Sequence, residues 1–406
     1  MQYPEIPPFK TKVIRLLEGD LFVYTEDAEG NWVDWANLYC VVELRPTSIS
    51  LSTMRQRMDA VCQFHNWCAG KGIDARARVD SATFFAKAEV EGLRRELRVN
   101  LLTRPGPQSR GGRRKPKSAV VTKGQWRARC AAVREYITWH AEEAIQRMSV
   151  RDERLGEARA RLADFRSWMS KKIRTHKNVS REGMDPTCQA VFLRAITPGD
   201  PTNPFALRHQ HRNYALWRCY YDGGVRRAEA LGLKGEDLKL NGDDPRLIVH
   251  RRPDDADDVR AIAPNTKTLP YSVLLTAELS HALHTYVVKH RAKVAGAKRS
   301  PYVFISQMGR PLSISSVHYM VEQLRKVPGM PVNFTTHLLR YGWNDHFGEA
   351  AEKLDWTAEE EKQVRNQHQG WTPHSDQGQD YQRGRNRKRG QQIASAMQDA
   401  ATKGAA

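Results

Sequence analysis

Apolar residues recur at helical spacing through much of the first half of the chain. One predicted helix can be capped by Ser52 or Thr53 and ended by Gly70, and its buried face would hold Met54, Met58, Val61, Cys62, His65 and Cys68. A second helix is expected after Asp80 and Ser81, passing through Phe84, Phe85, Val90 and Leu93. Two more are expected over about 125–143 and 151–173, so residues 48–178 are predicted to form a helical domain.

The first 45 residues follow a different pattern. Leu21 to Tyr24 are rich in β-forming residues, a turn-forming stretch follows, and a second apolar run extends from Trp32 to Val42. Residues 1–45 are therefore predicted to be a β-rich extension, with strands on both sides of the turn.

Proline and glycine separate the helical half from the rest of the chain, which predicts a linker over 179–204. After it, 205–221 is expected to be helical, 247–250 to be a strand, and 269–275 to return from a hairpin. We expect a second domain over 205–390 and a tail over 391–406 with a short helix. The fold class is thus mainly α with a small β-sheet.

Composition points to a polyanionic partner. The formal charge of the 406-residue chain is +19, which favours nucleic acid. No apolar run is long enough to span a membrane, and no secretory signal is visible at the N-terminus, so a cytoplasmic, nucleoid-associated protein is expected.

Metal chemistry is not favoured by the sequence. The six cysteines lack paired spacing, and Cys62, His65 and Cys68 share a helical face better explained by core packing than by zinc. The acidic stretch at 254–258 could attract a hard cation, but a solvated loop is the preferred interpretation. Neither a metal nor another cofactor is predicted.

Four short patterns occur in order in the C-terminal half. Residues 224–231 read GVRRAEAL, and the glycine turn places Arg226 at a helix start with Glu229 one turn later. Residues 336–341 read THLLRY, Gly370 and Trp371 follow, and Tyr381 lies close to the C-terminus. Each pattern is weak alone, but the order is much more specific.

These patterns resemble the tyrosine recombinases, the phage-type integrase family, over about 200–390. Residues 48–178 resemble the family's core DNA-binding domain more weakly. The resemblance implies two domains that clamp a DNA duplex and a site-specific recombinase, typical of mobile genetic elements, that cuts and rejoins DNA through a 3′-phosphotyrosyl intermediate. Double-stranded DNA would be the substrate, and a homo-tetramer would form the synaptic complex.

The resemblance also assigns roles to individual residues. Tyr381 would be the nucleophile, and Arg226 and Arg340 would clamp the phosphate, with Glu229 orienting Arg226. The remaining catalytic residues implied by the resemblance are His337 for proton transfer or a phosphate hydrogen bond, Lys267 as general acid, and Trp371 beside the tyrosine. Arg251, Arg252 and Arg260 are alternative cations near the hairpin, and the tail after 390 would dock on a neighbouring protomer.

Two basic stretches are predicted to contact DNA phosphates. One is a proline- and glycine-containing segment with Arg104, Arg110, Arg113, Arg114, Lys115 and Lys117. The other follows the tyrosine and includes Arg383 and Arg385.

Three alternatives remain open from the sequence. The fold could have lost catalysis and only bind DNA, although all six catalytic positions carry competent residues. The same site chemistry occurs in type IB topoisomerases and telomere resolvases. A metal-dependent nuclease would instead use the acidic stretch at 254–258.

Overall fold

The structure of the protein is a computed structural model. It describes residues 9–16, 21–47, 49–101, 118–174, 183–252, 255–260, 263–264, 266, 268–378, 390–391, 393–395 and 397. The chain divides into two compact units, 1–177 and 178–406, each with its own hydrophobic core.

The first unit combines a β-hairpin with a set of helices. Its strands are β1 (Lys10–Arg15) and β2 (Leu21–Glu26), which pair antiparallel. Its helices are α1 (Asp34–Tyr39), α2 (Leu51–Ala69), α3 (Ala75–Asp80), α4 (Lys87–Glu96), α5 (Lys123–Gln146) and α6 (Arg154–Met169). The central contacts join α2 to α5 and α5 to α6, and the hairpin packs on α2. The helix predicted from the apolar face of residues 54–68 is confirmed, with Ser50 as its cap.

Two local predictions in this unit are wrong. Trp32 makes a β-bridge to Glu26, but from Asp34 the run is helical, since α1 continues as a π-helical turn over Cys40–Leu44. Ala36, Cys40 and Leu44 are buried at helical spacing. The helix expected from Ser81 begins only at Lys87. Ala82 and Phe84 have φ values of +56° and +51°, which a right-handed helix does not allow.

The second unit is mostly helical around a small sheet. Its helices are α7 (Pro186–Ile196), α8 (Leu207–Tyr221), α9 (Arg227–Gly232), α10 (Ala277–His284), α11 (Ile314–Leu324), α12 (Thr336–Lys353) and α13 (Ala358–His368). A π-helical turn over Thr285–His290 extends α10. The antiparallel sheet has the order β3 (Leu238–Lys239), β4 (Arg246–Val249) and β5 (Tyr271–Leu274).

Buried and more exposed residues alternate along the strands β4 and β5 of the sheet. Leu247 and Val249 on β4 and Tyr271 and Val273 on β5 are buried, and their neighbours along each strand are more exposed. Leu247 lies opposite Val273 and Val249 opposite Tyr271. This register holds Tyr271 on the inner face of the sheet. The fold class predicted from the sequence, mainly α with a small sheet, is confirmed.

Part of the expected linker over 179–204 is helical. Asp185 caps α7 by accepting the Cys188 backbone N–H at 2.9 Å, and Pro186 occupies the first turn, where its missing N–H costs no hydrogen bond. Phe192 and Ile196 are fully buried in the core of the second unit. The prolines therefore mark a helix start as well as a chain break.

Candidate active site

Arg226 is positioned by a glycine turn and a buried carboxylate. Gly224 has φ +59°, and a Cβ there would lie 2.7 Å from the Trp343 ring, so the turn needs glycine. The chain then enters α9 with Arg226 as its cap. Glu229 accepts both the Arg226 backbone N–H at 2.7 Å and its Nη1 at 3.0 Å. The sequence prediction that Glu229 orients Arg226 agrees with this geometry.

Glu229 also joins Arg226 to the returning hairpin strand. Its carboxylate, 2 % exposed, accepts the Thr268 hydroxyl at 2.9 Å and the Tyr271 hydroxyl at 2.6 Å. Burial, and then the negative charge of Glu229, raises the pKa of Tyr271 well above its ordinary value. Tyr271 therefore stays protonated and continues to donate its hydrogen bond.

Arg340 reaches the same place from α12. Its side chain is 1 % exposed, and Nη1 donates to the carbonyl oxygen of Gly224, two residues before Arg226. The turn that orients one arginine thus also binds the other. Asn344 donates to the Arg340 carbonyl at 2.8 Å one turn further along α12.

Trp371 lies against both guanidinium groups. The Arg226 Cζ is 5.7 Å and the Arg340 Cζ 5.5 Å from the centre of its ring, within the range of a cation–π contact. Arg226 Nη1 also donates to the Gln369 carbonyl at 3.3 Å. Two arginines separated by more than a hundred residues in the sequence therefore converge on one indole.

Gly370 makes this approach possible. It has φ +61°, and a Cβ there would lie 2.5 Å from Tyr271 Cδ1 and 2.6 Å from the Leu269 carbonyl oxygen. The Gly370 carbonyl accepts the Leu269 N–H at 2.9 Å, which attaches the segment after α13 to the start of β5. The glycine in the Gly–Trp pattern is thus required for both backbone conformation and close packing.

A cavity of about 700 Å³ opens beside this arrangement. Arg226, Glu229 and Trp371 line it, together with Thr266, Thr268, Leu269, Tyr341, Gly370 and Arg251. Arg226 is partly exposed to it, with 24 % of its side chain accessible. The cavity is large enough for a phosphodiester group, and two of the residues that line it, Arg226 and Arg251, are cations.

Of the three other predicted catalytic residues, the structure describes His337. His337 is exposed on α12, one turn before Arg340. Lys267 lies outside the described residues, although its neighbours Thr266 and Thr268 both line the cavity. Tyr381 also lies outside them, as do the predicted DNA-contact residues Arg104, Arg110, Arg113, Arg114, Lys115, Lys117, Arg383 and Arg385.

The acidic stretch of the hairpin is largely used in ion pairs. Asp258 binds Arg260 at 2.8 Å with both side chains buried, and Asp255 and Asp257 bind Lys234 at 2.9 and 2.7 Å. The solvated loop expected here is therefore wrong for Asp258, which is 4 % exposed, because its charge is balanced inside the fold. Asp254 lies outside the described residues.

These ion pairs also distinguish the three alternative cations near the hairpin, Arg251, Arg252 and Arg260. Arg260 is buried, and Arg252 binds Asp237 at 2.7 Å, so both serve the fold. Arg251 is exposed and lines the cavity, and it makes no ion pair with any described residue. Sequence reasoning treated the three alike because a basic run does not show which cation finds a carboxylate.

Metal-binding clusters and membrane-spanning helices are both absent from the described residues. Among the described residues, no group of three or more His, Cys, Asp or Glu side chains is placed to share a metal. His65 instead pairs its Nε2 with the Tyr136 hydroxyl at 2.8 Å. No helix in the described part of the chain is both long and apolar enough to cross a membrane.

Residues 202–353 match the family model described as the Phage integrase family. Tyrosine recombinase XerC 2 of Ralstonia nicotianae is 24 % identical over 304 residues, which cover 75 % of this chain and 71 % of that protein. Tyrosine recombinase XerC of Methylobacterium sp. (strain 4-46) is 30 % identical over 163 residues, 40 % of this chain and 44 % of that protein. Residues 202–353 thus match the phage integrase family, and the chain is similar to proteins named tyrosine recombinases.

The fold of the chain is also similar to that of a solved recombinase. It is similar to the crystal structure of the XerH site-specific recombinase bound to palindromic difH substrate in a post-cleavage complex. The TM-score is 0.50 at 15 % identity, covering 86 % of this chain and 85 % of that chain. The family-model match and the named recombinases support the sequence prediction of a site-specific recombinase enzyme.

Sequence reasoning missed several residues of the recombinase's site. Thr268, Tyr271 and the Gln369 carbonyl hold Glu229 and Arg226, and Tyr341 lines the cavity. Thr268 and Tyr271 follow the proposed lysine closely in the sequence, so their position was a usable signal. Nothing local identified the Gln369 carbonyl, since backbone acceptors leave no mark in a sequence.

Proposed function

We propose that this recombinase cuts and rejoins double-stranded DNA at a specific site, with the Tyr381 hydroxyl oxygen attacking a backbone phosphorus. The new bond is a 3′-phosphotyrosyl ester, and the bond to the 5′ oxygen breaks. The free 5′ hydroxyl of a partner strand later attacks the same phosphorus and releases Tyr381. Because the phosphotyrosyl bond conserves the phosphodiester energy, no external energy source is required.

The observation that carries this proposal is the convergence of Arg226 and Arg340 on Trp371 beside the cavity. Negative charge grows on the non-bridging oxygens when phosphorus becomes five-coordinate. Guanidinium groups remain protonated at any working pH and match the geometry of paired oxygens. The pair is thus suited to stabilising this transition state.

Arg340 requires a local rearrangement before it can touch the substrate. Its side chain is 1 % exposed, and the Trp371 ring lies beside its guanidinium. We infer that DNA binding shifts Trp371 so that its indole N–H and the Arg340 guanidinium both face the phosphate. Arg226, which is already accessible, makes the first contact.

Proton transfer falls to His337 and Lys267. His337 is one turn from Arg340 on α12 and exposed, so it is accessible to a phosphate or to the tyrosine hydroxyl. Lys267 is assigned as the acid that protonates the leaving 5′ oxygen. This assignment is supported by Thr268, the next residue in the sequence, which donates to the same Glu229 carboxylate as Arg226.

A nicked duplex from the DNA that flanks the coding gene tests the nucleophile. After cleavage its short strand diffuses away, so the covalent adduct accumulates and can be counted by denaturing electrophoresis. We expect an adduct with the parent chain and none with Tyr381→Phe, because the next residue, Gln382, has no hydroxyl that could take its place. An adduct that persists in Tyr381→Phe would contradict the assignment.

The alternatives differ in their own readouts. A DNA-binding protein without catalysis would shift the nicked duplex and form no adduct. A type IB topoisomerase would relax supercoiled plasmid that lacks any specific site. A metal-dependent nuclease would lose activity in EDTA, but Asp255, Asp257 and Asp258 already balance Lys234 and Arg260.

Assembly and location follow from the reaction. Exchange between two duplexes needs four cleavage events, so we propose a homo-tetramer on the paired sites, in which the two units of each protomer clamp one duplex. Residues 390–391, 393–395 and 397 are helical, and Ile393 and Met397 expose apolar side chains at a spacing suited to docking on a neighbouring protomer. Activity on chromosomal or element DNA would place the protein with the nucleoid in the cytoplasm.

A further inference from the structure

The chain that leads from Trp371 towards Tyr381 is attached to α13 by one buried side chain. Asn366, which is 1 % exposed, donates through Nδ2 to the Pro373 carbonyl at 2.9 Å and to the Ser375 carbonyl at 3.0 Å. The Asn366 backbone carbonyl accepts the Trp371 N–H at 2.9 Å. A single residue of α13 therefore binds both Trp371 and the turn that follows it.

Residues 372–378, which we call the connecting segment, begin with a tight turn. The Ser375 N–H donates to the Thr372 carbonyl at 2.9 Å, and proline is favoured at the second position of such a turn because its φ is fixed. The turn brings the Pro373 and Ser375 carbonyls to the same donor group. An NH2 group can donate to two carbonyl oxygens and a carboxylate cannot, so the amide of Asn366 is matched to this task.

The far end of the connecting segment packs beside the indole that contacts both site arginines. A Cβ added at Gly378 would lie 3.3 Å from Arg365 Cδ and 3.7 Å from Trp371 Cζ3, so the Gly378 backbone lies next to both side chains. The same Trp371 ring contacts the two guanidinium groups of the site. Three residues of chain span at most about 11 Å, so the position of Gly378 limits the distance between Tyr381 and the arginine pair.

A second polar contact between the connecting segment and α13 lies on the surface. Lys362 Nζ binds Asp376 Oδ1 at 2.9 Å, with 32 % and 66 % of the two side chains exposed. Such an exposed ion pair contributes little, because water and salt screen it. The hydrogen bonds of Asn366 are shielded from water, so they are the stronger of these two attachments.

We propose that Asn366 is a positioning residue for the nucleophile: by holding the connecting segment on α13, it directs the Tyr381 hydroxyl to the phosphate bound by the two arginines. The inference rests on the proposed function for the identity of the nucleophile. Asn366 does not line the cavity, so it acts through the chain that it holds and not on DNA. Because its backbone carbonyl binds Trp371 separately, loss of its side chain should release the turn and leave Trp371 beside the arginines.

Two substitutions remove the donors of Asn366 and keep its approximate volume. Asn366→Leu replaces the amide by an apolar group, and Asn366→Asp keeps the shape but places an acceptor against two carbonyl oxygens. Gln210→Leu is the matched control for lost stability, since Gln210 is 5 % exposed in the second unit and does not line the cavity. Its amide donates to the Phe205 carbonyl at 2.9 Å and accepts the Gly199 N–H at 2.8 Å.

Binding and cleavage are measured separately, at a temperature where urea unfolding shows each chain to be folded. Anisotropy of a labelled duplex from the gene's flanking DNA gives the dissociation constant in chains that also carry Tyr381→Phe. The nicked duplex, at saturating protein, gives the rate of adduct formation. Because a displacement of about 1 Å can cost about 100-fold in rate, both Asn366 variants should form the adduct about 10–100 times more slowly and bind DNA within about twofold of the parent. Gln210→Leu should keep the parent rate and affinity.

An adduct rate equal to that of the parent in the Asn366 variants would overturn the inference. An equal loss of rate and affinity, or the same loss of rate in Gln210→Leu, would also overturn it, because either result would point to a general loss of structure. If Asn366→Leu does not fold, Asn366→Asp decides by the same measurements. A parent chain that forms no adduct refutes the proposed function and the inference with it, whereas a parent adduct with unchanged Asn366 variants refutes the inference alone.

Discussion

Gly370→Ala tests whether the segment after α13 really packs against the start of β5. The new Cβ would lie 2.5 Å from Tyr271 Cδ1, 2.6 Å from the Leu269 carbonyl oxygen and 3.0 Å from Thr268 Cβ. Two of these neighbours cannot move cheaply, since one is backbone and the other is a ring whose hydroxyl is bound to Glu229. The substitution must therefore shift the Gly–Trp segment.

The magnitude has two parts. A residue with a Cβ at φ +61° costs about 1–2 kcal/mol of folding free energy relative to glycine. Overpacking a filled interior costs about 1–3 kcal/mol more. Gly242→Ala is the matched control, because Gly242 has φ +96° but nothing within 4 Å of its added Cβ. This control should lose only the free energy that comes from a Cβ at positive φ and not the free energy that comes from overpacking.

The rate of adduct formation by Gly370→Ala should fall by more than its lower stability alone would explain. The Gln369 carbonyl and the Trp371 ring both contact Arg226, so a shift of their segment misplaces the arginine. A displacement of about 1 Å at a catalytic group can cost about 100-fold in rate. We expect Gly370→Ala to form the covalent adduct about 10–100 times more slowly, and Gly242→Ala to stay near the parent rate.

The assay combines urea unfolding with adduct formation at a temperature where every variant is folded. Unfolding is followed by two probes, because a chain with two compact units need not unfold in one step. If Gly370→Ala and Gly242→Ala lose the same stability and keep the same adduct rate, the close approach of Thr268, Leu269 and Tyr271 to Gly370 is not present in solution.

Three substitutions and a change of pH probe the remaining contacts. Glu229→Gln keeps the shape but removes the charge opposite Arg226 and turns one acceptor oxygen into an NH2 group that faces buried donors. The melting temperature should therefore fall, and the adduct rate, measured where the variant is folded, should fall about tenfold; an unchanged rate would show that Glu229 does not orient the arginine. Arg251→Gln should weaken DNA binding, measured by anisotropy, without loss of stability in urea unfolding. Arg252→Gln, which breaks the ion pair with Asp237, should instead lower stability. If Arg251→Gln lowers stability and Arg252→Gln weakens only DNA binding, the two assignments are contradicted. Burial lowers the pKa of His65 to about 4 and of His140 to about 3, so both are neutral when folded. Their stabilising contribution to the free energy of unfolding is fully present above about pH 6.5 and is lost as the pH falls from 6.5 towards 4 and 3; at pH 5 the loss is about 2 kcal/mol for each histidine. If urea unfolding shows that the first unit is equally stable at pH 7 and pH 5, this prediction is refuted.

Local patterns in the sequence indicated the resemblance to tyrosine recombinases and singled out Arg226, Arg340 and Trp371, which the structure brings together. A glycine turn before Arg226, the His–x–x–Arg spacing on one helix face and the Gly–Trp pair each depend on neighbours within a few residues, and such short-range geometry can be read from sequence. Apolar spacing likewise predicted α2 and α5, but the cap predicted for α2 was wrong, because Ser50 and not Ser52 or Thr53 caps it. Where the backbone departs from regular φ values, as at Ala82 and Phe84, the same reasoning placed a helix start too early.

Only the tertiary structure decided which residues share a surface. The Glu229 carboxylate binds groups from two separate segments, and Arg340 binds the Gly224 carbonyl across the fold. A basic run does not reveal that Arg252 and Arg260 are paired while Arg251 faces the cavity. The reason is physical: charge pairing and burial depend on distances between segments remote in sequence, and the packing of the core sets those distances.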